Sequence, residues 1–279
     1  LTWASADQQN KAEETRRIEE RLQRDIQDIN AVDRKLGGTL KTTSMWAEIK
    51  DKWGALQGQA EKASPVDPAN RHTELVADLL ALMSQVGDES NLILDPDLDS
   101  YYLMDLTVNR LPLLTEQIGQ LRDLRSGTAD QESSFFGLDH LRQQNLPGAI
   151  ESKRETLKHH LDVAFRKTHD RKLSEALSPA LSRCVTATED FLKMVDDTAD
   201  RAPADDVWQQ GSETLAEYDK LYSLTSTALD RLLKARVNAL ANWRLFVVAV
   251  TFLCSLLVVY LFVAFYLAVM RTVAQFDEA

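Results

Sequence analysis

The sequence predicts an all-α protein, an elongated up-and-down helical bundle followed by a transmembrane helix. Three observations predict it. Residues 245–270 (LFVVAVTFLCSLLVVYLFVAFYLAVM) are uncharged and bracketed by Arg244 and Arg271, and about 20 apolar residues suffice for a helix to cross a bilayer's hydrocarbon core. The 279-residue chain holds only 10 Gly and 7 Pro, and is rich in Ala, Leu, Glu, Gln, Lys and Arg, the residues that lose least on entering a helix. Before residue 245 the apolar residues recur at spacings of three and four, the signature of one buried helical face.

The apolar run is too long and too close to the C-terminal end for a signal peptide. A core helix apolar on every face would need a much larger domain around it. Trp243 and Tyr266 fall near the ends of the run, where amphipathic rings favour the membrane interface, so they join Arg244 and Arg271 as expected anchors. The expected division is a helical bundle over 1–240, a membrane span over 241–270 and the start of a linker over 271–279. The chain begins at Leu1 and stops nine residues past the span, and is expected to be the middle of a longer protein.

In order, a first amphipathic helix is expected from Ala6 to Leu36, with Ile18, Leu22, Ile26, Ile29 and Val32 on one face and Gly37-Gly38 as its interruption. A second helix carries Trp46, Ile49, Trp53 and Leu56 and ends near a Ser64-Pro65 turn. A third runs from Pro68 to Val86 with Leu75, Leu79, Leu82 and Val86 inward, closed by Gly87. In DPDLDS, Asp95 or Asp97 is expected to cap the next helix, with Pro96 in its first turn. Leu103, Leu106, Leu111, Leu114, Ile118 and Leu121 then form a stripe up to Ser126-Gly127, and Pro112 inside it should kink the helix or leave a carbonyl open.

After a short segment around Phe135-Phe136-Gly137, helices are expected at 148–169 and 171–200, with Pro179 as a local kink, and then a turn at Arg201-Ala202-Pro203. From Ala204 the chain reads as one helix, with Leu215, Tyr218, Tyr222, Thr225, Leu229, Leu232 and Leu233 on its packed side. No breaker follows Gly211, so this helix is expected to run unbroken into the apolar segment, about 100 Å of rod at 1.5 Å per residue. Trp46, Trp53 and Trp208 sit at stripe positions and are expected in the core.

A formal charge of −11 and a pI near 5.0 argue against nucleic acid or an anionic membrane surface as a main partner. Cys184 and Cys254 are the only cysteines, and Cys254 lies inside the apolar run, which makes an internal disulfide or a cysteine metal site implausible. Asp95, Asp97 and Asp99 alternate like the start of a calcium loop, but Ser100 stands at the glycine position and Leu106 at the position of the bidentate Glu. His159, His160 and His169 lack the i, i+4 spacing of a helical metal site and are expected on a solvated face. His72 and His140 also lie in polar surroundings. No nucleophile–base set and no glycine-rich phosphate loop appears, so the chain is not expected to be an enzyme or to hold a metal or cofactor.

Arg110 follows Leu103 by seven and Leu106 by four and precedes Leu114 by four, so a regular helix places it within the apolar stripe. There it would need a carboxylate, backbone carbonyls or a bound anion, or would reach outward along the rim. Tyr102, Asp105 and Asn109 line the adjacent face. These four residues are the expected ligand site, for a small and anionic ligand held between helices.

The segments SNLILDPDLDSYYLMDLTVNRLPLL (90–114), VDRKLGGTLKTTSMW (32–46) and ALDRLLKARVNAL (228–240) resemble the extracytoplasmic helical input domain of bacterial transmembrane receptors, which include methyl-accepting chemotaxis proteins, sensor histidine kinases and diguanylate cyclases. A more distant resemblance is to all-helical nitrate- and nitrite-sensing modules. RTVAQFDEA (271–279) resembles the start of a HAMP linker, with Thr272 where a Pro is common. The resemblance implies a sensor domain outside the bacterial inner membrane, working as a homodimer and passing a ligand signal to a cytoplasmic output. Arg231, Lys234, Arg236 and Arg244 on the bundle side of the span, against Arg271 beyond it, would by themselves put the bundle in the cytoplasm. The alternative from another class is a ligand-free, membrane-tethered helical scaffold for envelope proteins.

Overall fold

The computed structural model describes residues 2–59, 68–127, 138–168, 170–196 and 202–277, and among them every regular element is helical. The helices are α1 (Thr2–Leu40), α2 (Thr43–Gln59), α3 (Pro68–Glu89), α4 (Leu98–Asp105), α5 (Leu111–Ser126), α6 (Leu138–Lys167), α7 (Arg171–Asp196) and α8 (Ala204–Asp277). A short 3-10 turn at Leu92–Leu94 precedes α4, and a π turn at Leu106–Arg110 joins α4 to α5. The expected turn at Ser64-Pro65, the segment at Phe135-Phe136-Gly137, His169, Arg201 and the side chains of His140 and Arg271 lie outside the described residues. The chain forms two compact units, Leu1–Ala228 and Leu229–Ala279.

The stripes read from the sequence in α2, α3 and α4–α5 build the core, apart from Val86, which is exposed. Of the expected packed side of α8 only Tyr218, Thr225 and Leu229 are buried. Trp46, Ile49, Leu75 and Leu82 bring α2 against α3, with Ile26 of α1 and Met45, Trp53, Leu56 and Leu79 packed around them. In α8 the buried residues are Val207, Gly211, Thr214, Tyr218, Leu221, Thr225 and Ala228, alternating spacings of four and three. In α7 they are Leu173, Leu177, Ala180, Cys184, Thr188, Phe191 and Val195. Such spacing keeps one seam facing a neighbour, the geometry of antiparallel bundles. Hydroxyls inside this core are satisfied: Thr188 Oγ1 donates to the Cys184 carbonyl and lies 2.9 Å from the Tyr218 hydroxyl, and Thr214 Oγ1 reaches the carbonyls of Gln210 and Ala187.

Several expectations need correcting. Gly37-Gly38 does not interrupt α1, which runs to Leu40 and ends with Lys41 in the left-handed region (φ 53°) and the Thr42 N–H on the Gly37 carbonyl at 3.0 Å. That six-to-one bond is a Schellman closure. Gly37 is there for space: the Asp33 carboxylate and the Thr43 hydroxyl, joined at 3.2 Å, occupy the volume a Cβ would fill. Gly87 does not close α3, which continues to Glu89. Asp97 is the residue before α4, but its side chain makes no cap bond. Asp95 instead accepts from the Asp97 N–H at 3.0 Å, a local turn that sets the entry, and Pro96 lies outside the helix. α6 begins at Leu138 and carries Pro147 inside it, earlier than the expected start at 148. Gly127 ends α5 with φ 71° as expected.

The face of α1 expected to be packed is largely open, with Ile18, Ile29 and Val32 exposed. Trp208 is not core: it is 41% exposed, with the Arg122 guanidinium stacked 3.8 Å from its ring centroid.

Pro112 does not fall inside a regular helix. It lies at the start of α5, directly after the π turn, and the Leu111 N–H bonds to the Leu106 carbonyl five residues back. A proline has no N–H for the carbonyl four residues earlier, and its ring collides with that carbonyl in a regular helix. The π turn inserts one residue ahead of the proline, and Thr107 donates its hydroxyl to the Leu103 carbonyl at 2.8 Å.

In the second unit, residues 237–270 of α8 are exposed along their whole length. The helix is long and apolar enough to cross a membrane. Its polar side chains close on its own backbone, Thr251 onto the Val247 carbonyl and Ser255 onto the Thr251 carbonyl, each at 2.9 Å. That satisfies both aliphatic hydroxyls of the run within the helix, as an apolar surround favours. Trp243 packs its ring 5.6 Å from Phe246.

Candidate functional site

Of the four residues expected to form a site, Asn109 and Arg110 meet on the carboxylate of Asp105. Asp105, only 13% exposed, accepts from Asn109 Nδ2 through Oδ1 at 2.9 Å and from Arg110 Nε through Oδ2 at 2.8 Å. Ser84 of α3 donates to Asn109 Oδ1 at 3.3 Å, which ties α3 to the π turn. Tyr102, one turn before Asp105, sets its ring edge against His160 of α6, with centroids 4.9 Å apart, and stands 6.5 Å from His159. The cluster therefore joins α3, α4, the π turn and α6.

Arg110 departs from its expected place in the stripe. Its side chain is 47% exposed, while Leu111 takes the buried position. The extra residue of the π turn shifts the register by one, so the stripe passes from Leu106 to Leu111 and leaves Arg110 at the rim. The guanidinium is held at Nε, and its Nη groups make no hydrogen bond to another described residue.

His160 is the residue that sequence reasoning missed. It was expected on a solvated face, yet its side chain is 12% exposed and Nδ1 stands 3.4 Å from Asp105 Oδ2 without making a hydrogen bond. Burial pushes its pKa below the ordinary value of 6.5, helped by the positive charge of Arg110 and by His159, while Asp105 works the other way. Burial thus favours the uncharged imidazole. The available signal was its position beside the α6 stripe of Ile150, Leu157, Leu161 and Ala164.

A second missed residue is Arg154, buried on that same stripe. Its guanidinium reaches Glu151 and Glu155 of α6 and Glu189 of α7. These carboxylates close a structural ion cluster between two helices rather than line a site.

An open groove of about 430 Å³ adjoins His159 and is lined by Glu155, Lys158, Asp162, Phe165 and Leu181. Its charges are already paired along α6, Lys158 with Glu155 at 3.0 Å and Asp162 with Arg166 at 2.8 Å. Among the described residues no group of three metal-ligating side chains converges. The Asp105 cluster sets a half-exposed guanidinium, held by a largely covered carboxylate, beside an amide, two imidazoles and a phenol ring.

Compared with protein-family models, with curated proteins and with solved structures, the chain matches none. Fold and site define an all-helical bundle with one helix able to span a membrane and a charged cluster at a helix interruption.

Proposed function

We propose that this chain is the signal-input module of a bacterial transmembrane receptor. Its bundle lies on the extracytoplasmic side of the inner membrane, takes a small ligand, and relays occupancy through α8 to a cytoplasmic output. A chemotaxis transducer is the first output to test, ahead of a histidine kinase or a diguanylate cyclase. The observation that carries the reading is the continuity of α8: one helix over Ala204–Asp277 supplies Tyr218 and Leu221 to the bundle core and then includes the apolar run. A ligand that prefers one of two bundle packings shifts their populations only by its differential affinity, and a helix shared by core and span reports that shift. The open apolar edge of α1 supports a homodimer as the working form.

The test is a one-residue deletion at Arg236, which rotates everything beyond it by about 100°. The receptor should lose its response to ligand while the bundle keeps its melting temperature. Unchanged signalling would overturn the relay.

The tethered scaffold is the second reading, and the Asp105–Arg110 pair favours it, because a rim ion pair needs no ligand. Arg110→Leu separates the two. A scaffold keeps its function with this variant, whereas an anion sensor loses its response and stays folded.

A further inference from the structure

The contact between His160 and Asp105 is incomplete in a way that packing alone does not require. A buried imidazole nitrogen without a hydrogen bond costs free energy, and here the acceptor that would satisfy Nδ1 once it is protonated, Asp105 Oδ2, is only 3.4 Å away. That oxygen is already taken by Arg110 Nε at 2.8 Å. The charged groups that reach His160 are Asp105 from α4, Arg110 from the π turn and His159 on α6 itself; α5 and α7 bring none. Tyr102 of α4 covers the ring.

We propose that Asp105, His160 and Arg110 form a proton-operated latch between the π turn and α6. A proton taken from solvent onto Nδ1 makes His160 a cation whose nearest compensation is Asp105, the one carboxylate in reach of an atom closed off from water. Arg110 is half exposed, so water compensates it when Asp105 turns away. The carboxylate therefore passes from the rim guanidinium to the buried imidazolium. This tightens α4 on α6 and releases the π turn from one of the bonds that close it. π turns inside helices are locally weak and can open while their flanks stay helical. The latch makes protons an input to the bundle whether or not a ligand binds, and it stands independently of the receptor reading.

The test uses the whole chain in lipid nanodiscs with ¹⁵N-labelled histidine, His160 being assigned from the signal lost in His160→Gln. In the wild type, His160 should titrate below the ordinary value of 6.5. Arg110→Gln should move that midpoint up by removing a repelling cation, and Asp105→Asn should move it further down. Over the same pH range, amide exchange at 106–111, corrected for its intrinsic pH dependence, should speed up in the wild type and stay flat in His160→Gln. An unmoved midpoint in Arg110→Gln, or exchange at 106–111 that ignores the charge on His160, would overturn the latch. If His160→Gln does not fold, His160 is assigned from the signal left when the other four histidines are replaced, and Arg110→Gln still decides, since Arg110 lies at the rim.

Discussion

Arg110 donates its Nε–H to Asp105 Oδ2 at 2.8 Å across five residues of one helical segment. In a regular α-helix such residues point about 140° apart and do not meet. The pair exists because the π turn adds one residue between Leu106 and Leu111, and the same insertion keeps both halves of the leucine stripe buried.

The register argument predicts an unusual tolerance. Deleting Arg110 would place the residues of the stripe at spacings of three and four throughout, and Pro112→Ala would restore the missing N–H. The combined variant should fold with a continuous α4–α5 helix, whereas deleting Leu114 should not. Circular dichroism and urea unfolding of both proteins check this. A combined variant that fails to fold would contradict the register account.

Arg154 is expected to stabilise the bundle. It sits buried among Glu151, Glu155 and Glu189, whose side chains are about half exposed, so stranding them costs less than stranding fully buried charges. Arg154→Met should lower unfolding free energy by about 1–2 kcal/mol, the order expected for charge-assisted hydrogen bonds lost at a partly wet site. A gain in stability in urea titrations would mean that burying the guanidinium outweighs its bonds.

Burial of Cys184 pushes its thiol pKa up to about 12. The thiolate is the reactive form, so this cysteine should resist thiol reagents at pH 8 in the folded protein and react once urea unfolds the bundle. Mass spectrometry after timed labelling, on a Cys254→Ala background, reads both states. Fast labelling of native Cys184 would contradict the packing of α7.

Stability should also fall on acidification through His160. The fold holds this imidazole's pKa below its ordinary 6.5, chiefly by burial, so below that pH the unfolded chain binds the proton more readily than the folded one. By linkage, stability is then lost from about pH 6.5 downward until the folded imidazole protonates as well. Melting temperatures between pH 7.5 and 5 should drop less in His160→Gln than in the wild type. Equal drops in the two proteins would assign the pH dependence elsewhere.

Much of the fold was legible because periodic burial is written locally. The stripe of α2, the cap at Gly127 and the unbroken start of α8 at Ala204 all follow from spacing and from the absence of breakers. What was not legible depended on contacts remote in sequence or on one inserted residue. Gly37 looked like a break because its use, leaving room for Asp33 to reach Thr43, involves residues on both sides of the turn. Arg110 and Arg154 both occupy stripe positions on paper. Only Arg154 is buried, because no π turn stands between it and its neighbours on α6. Asn109 and Arg110 both bond the Asp105 carboxylate, whereas Arg110 was expected to point inward. His160 was missed because its partner lies on another helix.

The most direct test of the central claim is the side of the membrane on which the bundle lies. Ser223 is exposed on α8 within the first unit, and Cys184 is buried, so Ser223→Cys on a Cys254→Ala background gives a single accessible thiol. A membrane-impermeant maleimide added to intact bacterial cells making the whole protein should label it without lysis, as an extracytoplasmic sensor requires. Labelling only after the inner membrane is broken would put the bundle in the cytoplasm, as the cluster of Arg231, Lys234, Arg236 and Arg244 on its side of the span would then explain, and would contradict the account.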